Sequence, residues 1–270
     1  MADRPVANRP LKADNRTIAV SHGPACVNDL STTSASLPDP SRRNVAWIMI
    51  QAVLRWCFTL LLGYRARGIE RLPDGSGALL VANHQSNFDP LLVGLPLNRP
   101  VSYMARSTLF PIPLIGWILR NTYVVPIDRE AARAGAIREL VTRLEHGFLV
   151  GMFPEGTRTS DGSLGEFKPG FIALLRRSRL PIVPVGIAGA YEAYPRGRLP
   201  RMGRVRVVFG SPWQPHEYAE LCERGRKAEL VAAVRQRVQD CVDEATLWRE
   251  GQLAEPESSN RVKVPGEERR

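Results

Sequence analysis

The chain of 270 residues is 44% hydrophobic and 24% charged, an ordinary globular composition with enough apolar material for one substantial domain or two small ones. Its 37 lysines and arginines outnumber 27 aspartates and glutamates, and the resulting +10 points to anionic partners: nucleic acid, phosphorylated small molecules or an acidic membrane surface. Four widely spaced cysteines, Cys26, Cys57, Cys222 and Cys241, form no C-x-x-C pair, which argues against a zinc site or disulfide framework and fits a reducing compartment.

Residues 1–43 are polar, rich in Pro, Ser, Asn and Ala, and lack the basic, apolar and small-residue succession of a secretory signal, so they read as a disordered leader. Residues 44–64 follow, with "VAWIMIQAVLRWCFTLLL" at Val45 to Leu62. This is nearly the ~20 apolar residues of a spanning helix but is interrupted by Gln51 and Arg55. At helical spacing Asn44, Gln51, Arg55 and Thr59 form a narrow polar stripe, while Trp47, Ile50, Leu54, Phe58 and Leu61 lie on a broad apolar face. That pattern suits a helix lying in a membrane interface, with Arg42, Arg43, Arg65 and Arg67 near anionic headgroups; a helix packed into the core is the alternative.

Residues 65–248 read as one folded domain in which short β-rich runs alternate with helical stretches. Strands are expected at Ala78 to Asn83, Val101 to Arg106, Tyr123 to Arg129, Phe148 to Pro154, Ile182 to Ile187 and Arg204 to Gly210. Helices are expected at Glu130 to His146, stopped by Gly147, at Lys168 to Arg179, and across Tyr218 to Ala245. The alternation predicts an α/β fold, a mostly parallel or mixed central sheet flanked by helices. Residues 249–270 share the composition of the leader and read as a disordered tail.

Polar residues cluster at the strand ends. His84 and Asp89 follow the first strand, Arg129 ends the third, and Glu155, Gly156, Thr157 and Arg158 follow the fourth. Ligands bind outside the carboxyl ends of strands in open α/β sheets, so three segments bring a base candidate, acids and two arginines to one edge. Each segment also has a plain structural reading. Asp89 before Pro90 fits a helix start and "SNFD" a capping box; "IDRE" fits a charged helix start; "FPEGTRTSDG" fits a solvated loop. On a regular helix His84 and Asp89 would stand about 140° apart, so contact between them requires a turn.

Taken together, four blocks carry a resemblance. "NHQSNFD" at Asn83 to Asp89, "VVPIDR" at Val124 to Arg129, "FPEGTRT" at Phe153 to Thr159 and "PIVPVGI" at Pro181 to Ile187 resemble, in order and spacing, the glycerolipid acyltransferases with an H-x-x-x-x-D motif. That family includes the 1-acylglycerol-3-phosphate acyltransferases. "FKPGF" at Phe167 to Phe171 is similar to the family's basic step between the last two blocks. Two positions depart from the pattern: Pro126, where many relatives carry a bulky residue, and Tyr123, where glycine is common.

The resemblance implies transfer of a fatty acyl group from acyl-CoA or acyl-carrier protein to the free hydroxyl of 1-acylglycerol-3-phosphate, giving phosphatidate in phospholipid biosynthesis. It implies His84 as general base and Asp89 as its orienter, with Arg129 and Arg158 on the acceptor phosphate. Glu155, Gly156 and Thr157 would lie along the acceptor, Lys168 would add positive charge, and Pro184 would shape the acyl-donor side. Acyl transfer from a thioester needs a base for the hydroxyl proton, an orienter for that base and an oxyanion site. It needs no protein nucleophile, which agrees with the absence of G-x-S-x-G. No metal and no cofactor are expected. Expected partners are membrane phospholipid, a lysophospholipid acceptor and the acyl donor, at the cytoplasmic face of the cell membrane. Basic runs at Arg176 to Arg179 and Arg196 to Arg206 would face anionic lipid, or else form a solvated face. Nucleic acid is not expected, because the basic residues are not interleaved with aromatics and no known module appears. The alternatives are another lyso-lipid acceptor, such as an amino-acid lipid or a lysophospholipid, or a non-catalytic peripheral protein that binds anionic lipid.

Overall fold

A computed structural model describes residues 39–40, 44–127 and 133–254 of the chain. The strands are β1 (Arg65–Arg67), β2 (Ala78–Ala82), β3 (Val101–Ser102), β4 (Met104–Arg106), β5 (Val125–Ile127), β6 (Leu149–Met152), β7 (Ile182–Ala188) and β8 (Arg206–Phe209). The helices are α1 (Val45–Leu62), α2 (Asp89–Gly94), α3 (Pro113–Asn121), α4 (Arg133–Glu145), α5 (Ile172–Ser178), α6 (Ala190–Ala193), α7 (Pro215–Tyr218) and α8 (Lys227–Arg249). Of the expected leader only residues 39–40 are described, and α8 carries regular structure one residue past the expected end of the domain.

Six strands form a mixed sheet in the order β1-β8-β7-β2-β6-β3. β2 runs parallel to both β6 and β7, β3 is parallel to β6, and β8 is antiparallel to β7. β2, β7 and β8 are buried at every position, which is why β2 and β7 read as continuous runs without polar alternation; in β8 the buried Arg206 precedes Val207, Val208 and Phe209. On one face Leu80, Ala82, Val183, Val185 and Val207 meet Phe58 and Leu62 of α1 and Leu92 and Val93 of α2. On the other face Leu79, Val81, Val150 and Ile182 meet α4, α5 and α8 through Leu140, Leu144, Leu174, Leu230 and Val234. The helix–sheet approach is close at Gly186, where an added Cβ would lie 2.1 Å from the Cys241 carbonyl carbon of α8.

Three expectations about strands are corrected. β1 has a charged sequence, Arg-Ala-Arg, and pairs at the sheet edge, so no apolar run announced it. The expected strand from Val101 to Arg106 breaks at Tyr103: β3 stays in the main sheet, while β4 leaves it to pair with β5 in a separate two-stranded parallel sheet. The Tyr103 ring occupies the space over Gly151, where a Cβ would meet it at 2.0 Å. The expected third strand therefore does not belong to the main sheet. Pro126 is tolerated in β5 because it is an exposed position of this small sheet. Tyr123 sits at φ 61, the left-handed region that favours the glycine of relatives, and Arg143 Nη1 donates to its carbonyl at 2.7 Å. The closing helix begins at Lys227 rather than Tyr218, after the separate short helix α7.

Helix α1 packs on the domain by its expected apolar face, as in the alternative reading, and a third face points outward. Trp47 and Phe58 are buried, and Gln51, on the expected polar stripe, points into the domain, where its Nε2 donates to the Leu95 and Leu97 carbonyls at 2.8 Å each. Asn44 caps the helix by accepting from the Trp47 N–H at 2.6 Å and donates to the Asn121 carbonyl at 3.2 Å. The outward face is apolar instead: Val45, Ile48, Met49, Val53, Trp56, Leu60 and Leu61 are exposed. The expected apolar face and the polar stripe both turn inward, apart from Leu61 and Thr59. Neighbouring α3 adds exposed Leu114, Ile115 and Trp117.

Candidate active site

The loop after β2 is built by hydrogen bonds that replace sheet pairing. Asn83, the first residue past β2, donates from Nδ2 to the Ile187 carbonyl at 2.9 Å and accepts at Oδ1 from the Ile187 N–H at 2.8 Å, so its amide continues the β2–β7 ladder by one rung. The chain then turns sharply into α2, whose first residue is Asp89. His84 Nδ1 stands 2.8 Å from Asp89 Oδ2, the contact that only a turn permits. The same oxygen accepts from the Gln85 N–H at 2.6 Å and the Ser86 N–H at 2.7 Å. Asp89 is fully buried, and its Oδ1 has no partner among the described residues. Asp89 is the first helical residue and not the N-cap, which is Phe88 with no side-chain capping bond. The reciprocal bonds expected of "SNFD" are nevertheless present in the turn, Asp89 accepting from the Ser86 N–H and Ser86 Oγ from the Phe88 N–H at 3.3 Å. Burial pushes the Asp89 carboxyl above the ordinary carboxylate range, and the three donors oppose that push.

With Nδ1–H directed to the carboxylate, the lone pair of His84 is on Nε2, which has no partner among the described residues. The side chain is 20% exposed. Its main chain is fixed at both ends: the N–H donates to Glu155 Oε1 at 2.7 Å, and the carbonyl accepts from the Thr159 N–H at 2.8 Å. Phe153 stacks on the imidazole at 4.3 Å between centroids. Gln85 Nε2 donates to the Gly162 carbonyl at 2.8 Å, a further tie to the loop after β6. This arrangement can take a proton at Nε2 and hold the resulting imidazolium against a buried carboxylate.

Glu155 is buried and both of its oxygens are engaged, Oε2 accepting from the Gly165 N–H at 3.2 Å. Burial raises its carboxyl above the ordinary range, against the pull of the two amides. Sequence reasoning placed Glu155 along the acceptor; the structure places it between two loops as a brace. Gly156 and Thr157 lie exposed on the outer side of that turn. Gly156 has φ +69, and a Cβ there would meet Lys168 Nζ at 3.0 Å, so the lysine ammonium lies directly over it. Arg158 is half-buried, one residue before the Thr159 N–H that holds His84. Neither Arg158 nor Lys168 pairs with a carboxylate among the described residues. Two cations without counter-ions thus flank the histidine loop, a geometry that accepts an anion. Arg129 lies outside the described residues. Pro184 is not brought to this site: it is buried inside β7, where Pro184 Cγ and Cys241 Sγ crowd Gly210 beneath α8.

Three contributors were missed in the sequence. Asn83 and Gln85 flank the histidine as polar residues directly after an apolar run, and both are buried. Buried polar side chains must find partners, and that signal was available. The third is an apolar cavity of about 150 Å³ lined by Trp47, Ile50 and Leu54 of α1, Pro90 and Leu91 of α2, Tyr103 and Val124. It is reached from the base by a stack of rings, His84 on Phe153 and Phe153 on Tyr103 at 5.9 Å. Its walls come from four separate segments, which no local pattern joins.

Comparison with known proteins fits this site. A family model described as Acyltransferase matches residues 64–188, the span that holds His84, Asp89, Glu155 and Arg158. The crystal structure of the 1-acyl-sn-glycerophosphate (LPA) acyltransferase PlsC from Thermotoga maritima is similar with a TM-score of 0.62 and 28% identity, over 74% of this chain and 79% of that one. Over residues 64–188 the chain is therefore similar to the acyltransferase family. Among curated relatives of this acyltransferase, a 1-acyl-sn-glycerol-3-phosphate acyltransferase of Bacillus subtilis is 29% identical over 69% of this chain and 92% of its own length. The chloroplastic enzyme LPAT1 of Arabidopsis thaliana is 32% identical over 59% of this chain, but only 46% of the plant protein is covered. The acyltransferase core is therefore shared across bacteria and plastids.

Proposed function

We propose that this acyltransferase moves a fatty acyl group from acyl-CoA or acyl-carrier protein to the free hydroxyl of 1-acylglycerol-3-phosphate, producing phosphatidate. The observation that carries the reading is the 2.8 Å contact between His84 Nδ1 and Asp89 Oδ2, with Nε2 left open. Nε2 takes the proton of the acceptor hydroxyl as its oxygen attacks the thioester carbonyl carbon. The tetrahedral intermediate then collapses with cleavage of the carbon–sulfur bond, and the imidazolium returns the proton to the departing thiolate. Asp89 holds the tautomer and stabilises the imidazolium between these steps. The hydroxyl and the thioester are both substrates, so the reaction calls for no protein nucleophile and no cofactor.

Arg158 and Lys168 support a phosphate-bearing acceptor, because they are cations without counter-ions among the described residues on the E-G-T-R loop that holds the His84 main chain and over its Gly156, and Arg129 belongs to the same assignment through the second block. The apolar cavity under Tyr103 supports an acyl chain, since its walls are almost wholly hydrocarbon. The apolar outer faces of α1 and α3 support association with a membrane, which we place at its cytoplasmic leaflet. α1 is long and apolar enough to cross a bilayer, yet Trp47, Phe58 and Leu62 pack on the domain, which favours a helix embedded along the surface.

The test is transfer of labelled acyl groups from acyl-CoA and from acyl-carrier protein to a panel of lyso-acceptors, comparing wild type with His84→Ala. Phosphatidate is the expected product, and it disappears in the variant. Undiminished transfer by His84→Ala removes the base assignment. A folded wild type that acylates no acceptor but still binds anionic vesicles is instead a lipid-binding protein.

A further inference from the structure

The segment 196–204, Arg-Gly-Arg-Leu-Pro-Arg-Met-Gly-Arg, is exposed at every position. Its Leu199 is 83% and its Met202 77% exposed, although folded proteins usually cover such side chains or surround them with polar ones. The neighbours here are Arg196, Arg198, Arg201 and Arg204, none of them in an ion pair among the described residues, and no carboxylate occurs between Glu192 and Glu217. The loop is anchored at two informative places. Where it begins, the Tyr194 carbonyl accepts from Ser86 Oγ at 3.3 Å and the Tyr194 ring packs on Phe88 at 4.7 Å, both within the turn that joins His84 to Asp89. Where it ends, Gly203 N–H donates to the Leu61 carbonyl at 3.2 Å and Val205 N–H to the Leu62 carbonyl at 2.9 Å, on the last turn of α1. Leu60 and Leu61 of that turn are themselves more than half exposed, at 57% and 52%. The apolar tips of the loop thus continue the outward face of α1 and run from it to the base.

We propose that the 196–204 loop is a second membrane contact, with Leu199 and Met202 inserted at the headgroup–acyl boundary of an anionic bilayer and the arginines on lipid phosphates. A docking site for an acidic protein would use the arginines but has no need of two unshielded apolar tips between them. A bilayer interface uses both, and α1 already offers it a continuous apolar surface. The loop would set the depth and tilt of the domain so that the mouth of the site beside Ser86 and Phe88 opens into the leaflet. This rests on the reading of the protein as an enzyme of membrane-borne acceptors and narrows where the membrane touches it.

The experiment measures partition of the full chain onto vesicles of phosphatidylcholine alone and of phosphatidylcholine with phosphatidylglycerol, for wild type, L199D/M202D and R196Q/R198Q/R201Q. Each variant is expected to lose about tenfold or more in partition onto the mixed vesicles, the arginine variant losing also its preference for phosphatidylglycerol. Thermal unfolding, and turnover of a water-soluble short-chain lyso-acceptor, should stay within about twofold of wild type, since the loop carries no catalytic group. Partition unchanged in both variants overturns the proposal. So does wild-type partition combined with lost binding of acyl-carrier protein, which assigns the loop to an acidic protein instead. If no acceptor is acylated by wild type while the variants still lose vesicles, the enzymatic reading fails and the membrane contact stands.

Discussion

The His84 main-chain N–H donates to Glu155 Oε1 at 2.7 Å, three residues beyond the register pair Val81 and Met152 on the neighbouring parallel strands β2 and β6. The histidine loop and the E-G-T-R loop are thus locked to each other by the sheet that carries them. Glu155→Ala leaves the partly buried His84 and Gly165 amides without their acceptor, at a cost of about 1 kcal/mol each. We expect a lower unfolding midpoint and a kcat reduced by about 10²-fold, with KM for the acceptor nearly unchanged. A rise in KM with kcat preserved would return Glu155 to the acceptor-binding role.

Asp89→Asn tests the orienter. An amide there can donate to Nδ1 and so favour the tautomer with the proton on Nε2, which removes the basic lone pair. By the precedent of the serine triad, kcat should fall by about 10⁴-fold with little change in KM. A loss of less than about tenfold would mean that Asp89 serves the turn rather than the base.

The two buried carboxyls also set a pH dependence. Burial raises both Asp89 and Glu155 above their ordinary range, so the folded state holds these protons more tightly than the unfolded chain. The stability they contribute is fully present below the ordinary range, near about pH 4, and is lost as pH rises through the raised values. The stability of wild type relative to Glu155→Gln, read from denaturant midpoints, should therefore be greater at about pH 5 than at about pH 7. A constant difference, or one of the opposite sign, contradicts the assignment.

Gln51→Leu makes α1 more hydrophobic and yet should destabilise the protein by about 1–3 kcal/mol, because the Leu95 and Leu97 carbonyls lose their donor. Trp56→Gln on the outward face should leave the midpoint within about 0.5 kcal/mol of wild type and weaken vesicle binding. The reverse pattern would mean that the helix packs by its other face.

Gly186→Ala places a methyl group against the α8 backbone at Cys241 and should cost about 3 kcal/mol or more, since no flexible side chain stands there to give way. Gly170→Ala, with nothing within 4 Å, is the control and should be close to neutral. Equal melting temperatures for the two variants would contradict this packing.

Much of the site was legible because its chemistry is carried by short contiguous blocks. His84, Asp89, Glu155 and Arg158 were singled out there, and the apolar runs of β2 and β6 placed them just past strand ends. What escaped was non-local. Nothing in Val101 to Arg106 states that the strand changes sheets at Tyr103, whose ring fills the space left open by Gly151 on another strand. The outward face of α1 escaped for a related reason. The helix is apolar on almost every side, so its direction is decided by two carbonyls near the end of α2 that accept from Gln51. The bracing bonds of Glu155 to the His84 and Gly165 amides also escaped, because a brace between loops and a contact to substrate leave the same residue in the sequence.

The inward polar contacts of α1 bear on what happens when the protein meets its lipid. Hydrocarbon tails solvate leucine and phenylalanine about as well as a protein interior does, so a helix docked by apolar contacts alone would gain nothing from staying attached once immersed. The Gln51 amide finds no carbonyl in a lipid tail, nor does the Asn44 amide replace there its bond to Asn121. These bonds grow more binding as water is withdrawn. The domain can thus be pulled into the leaflet by its anchor without the anchor being drawn out of the domain.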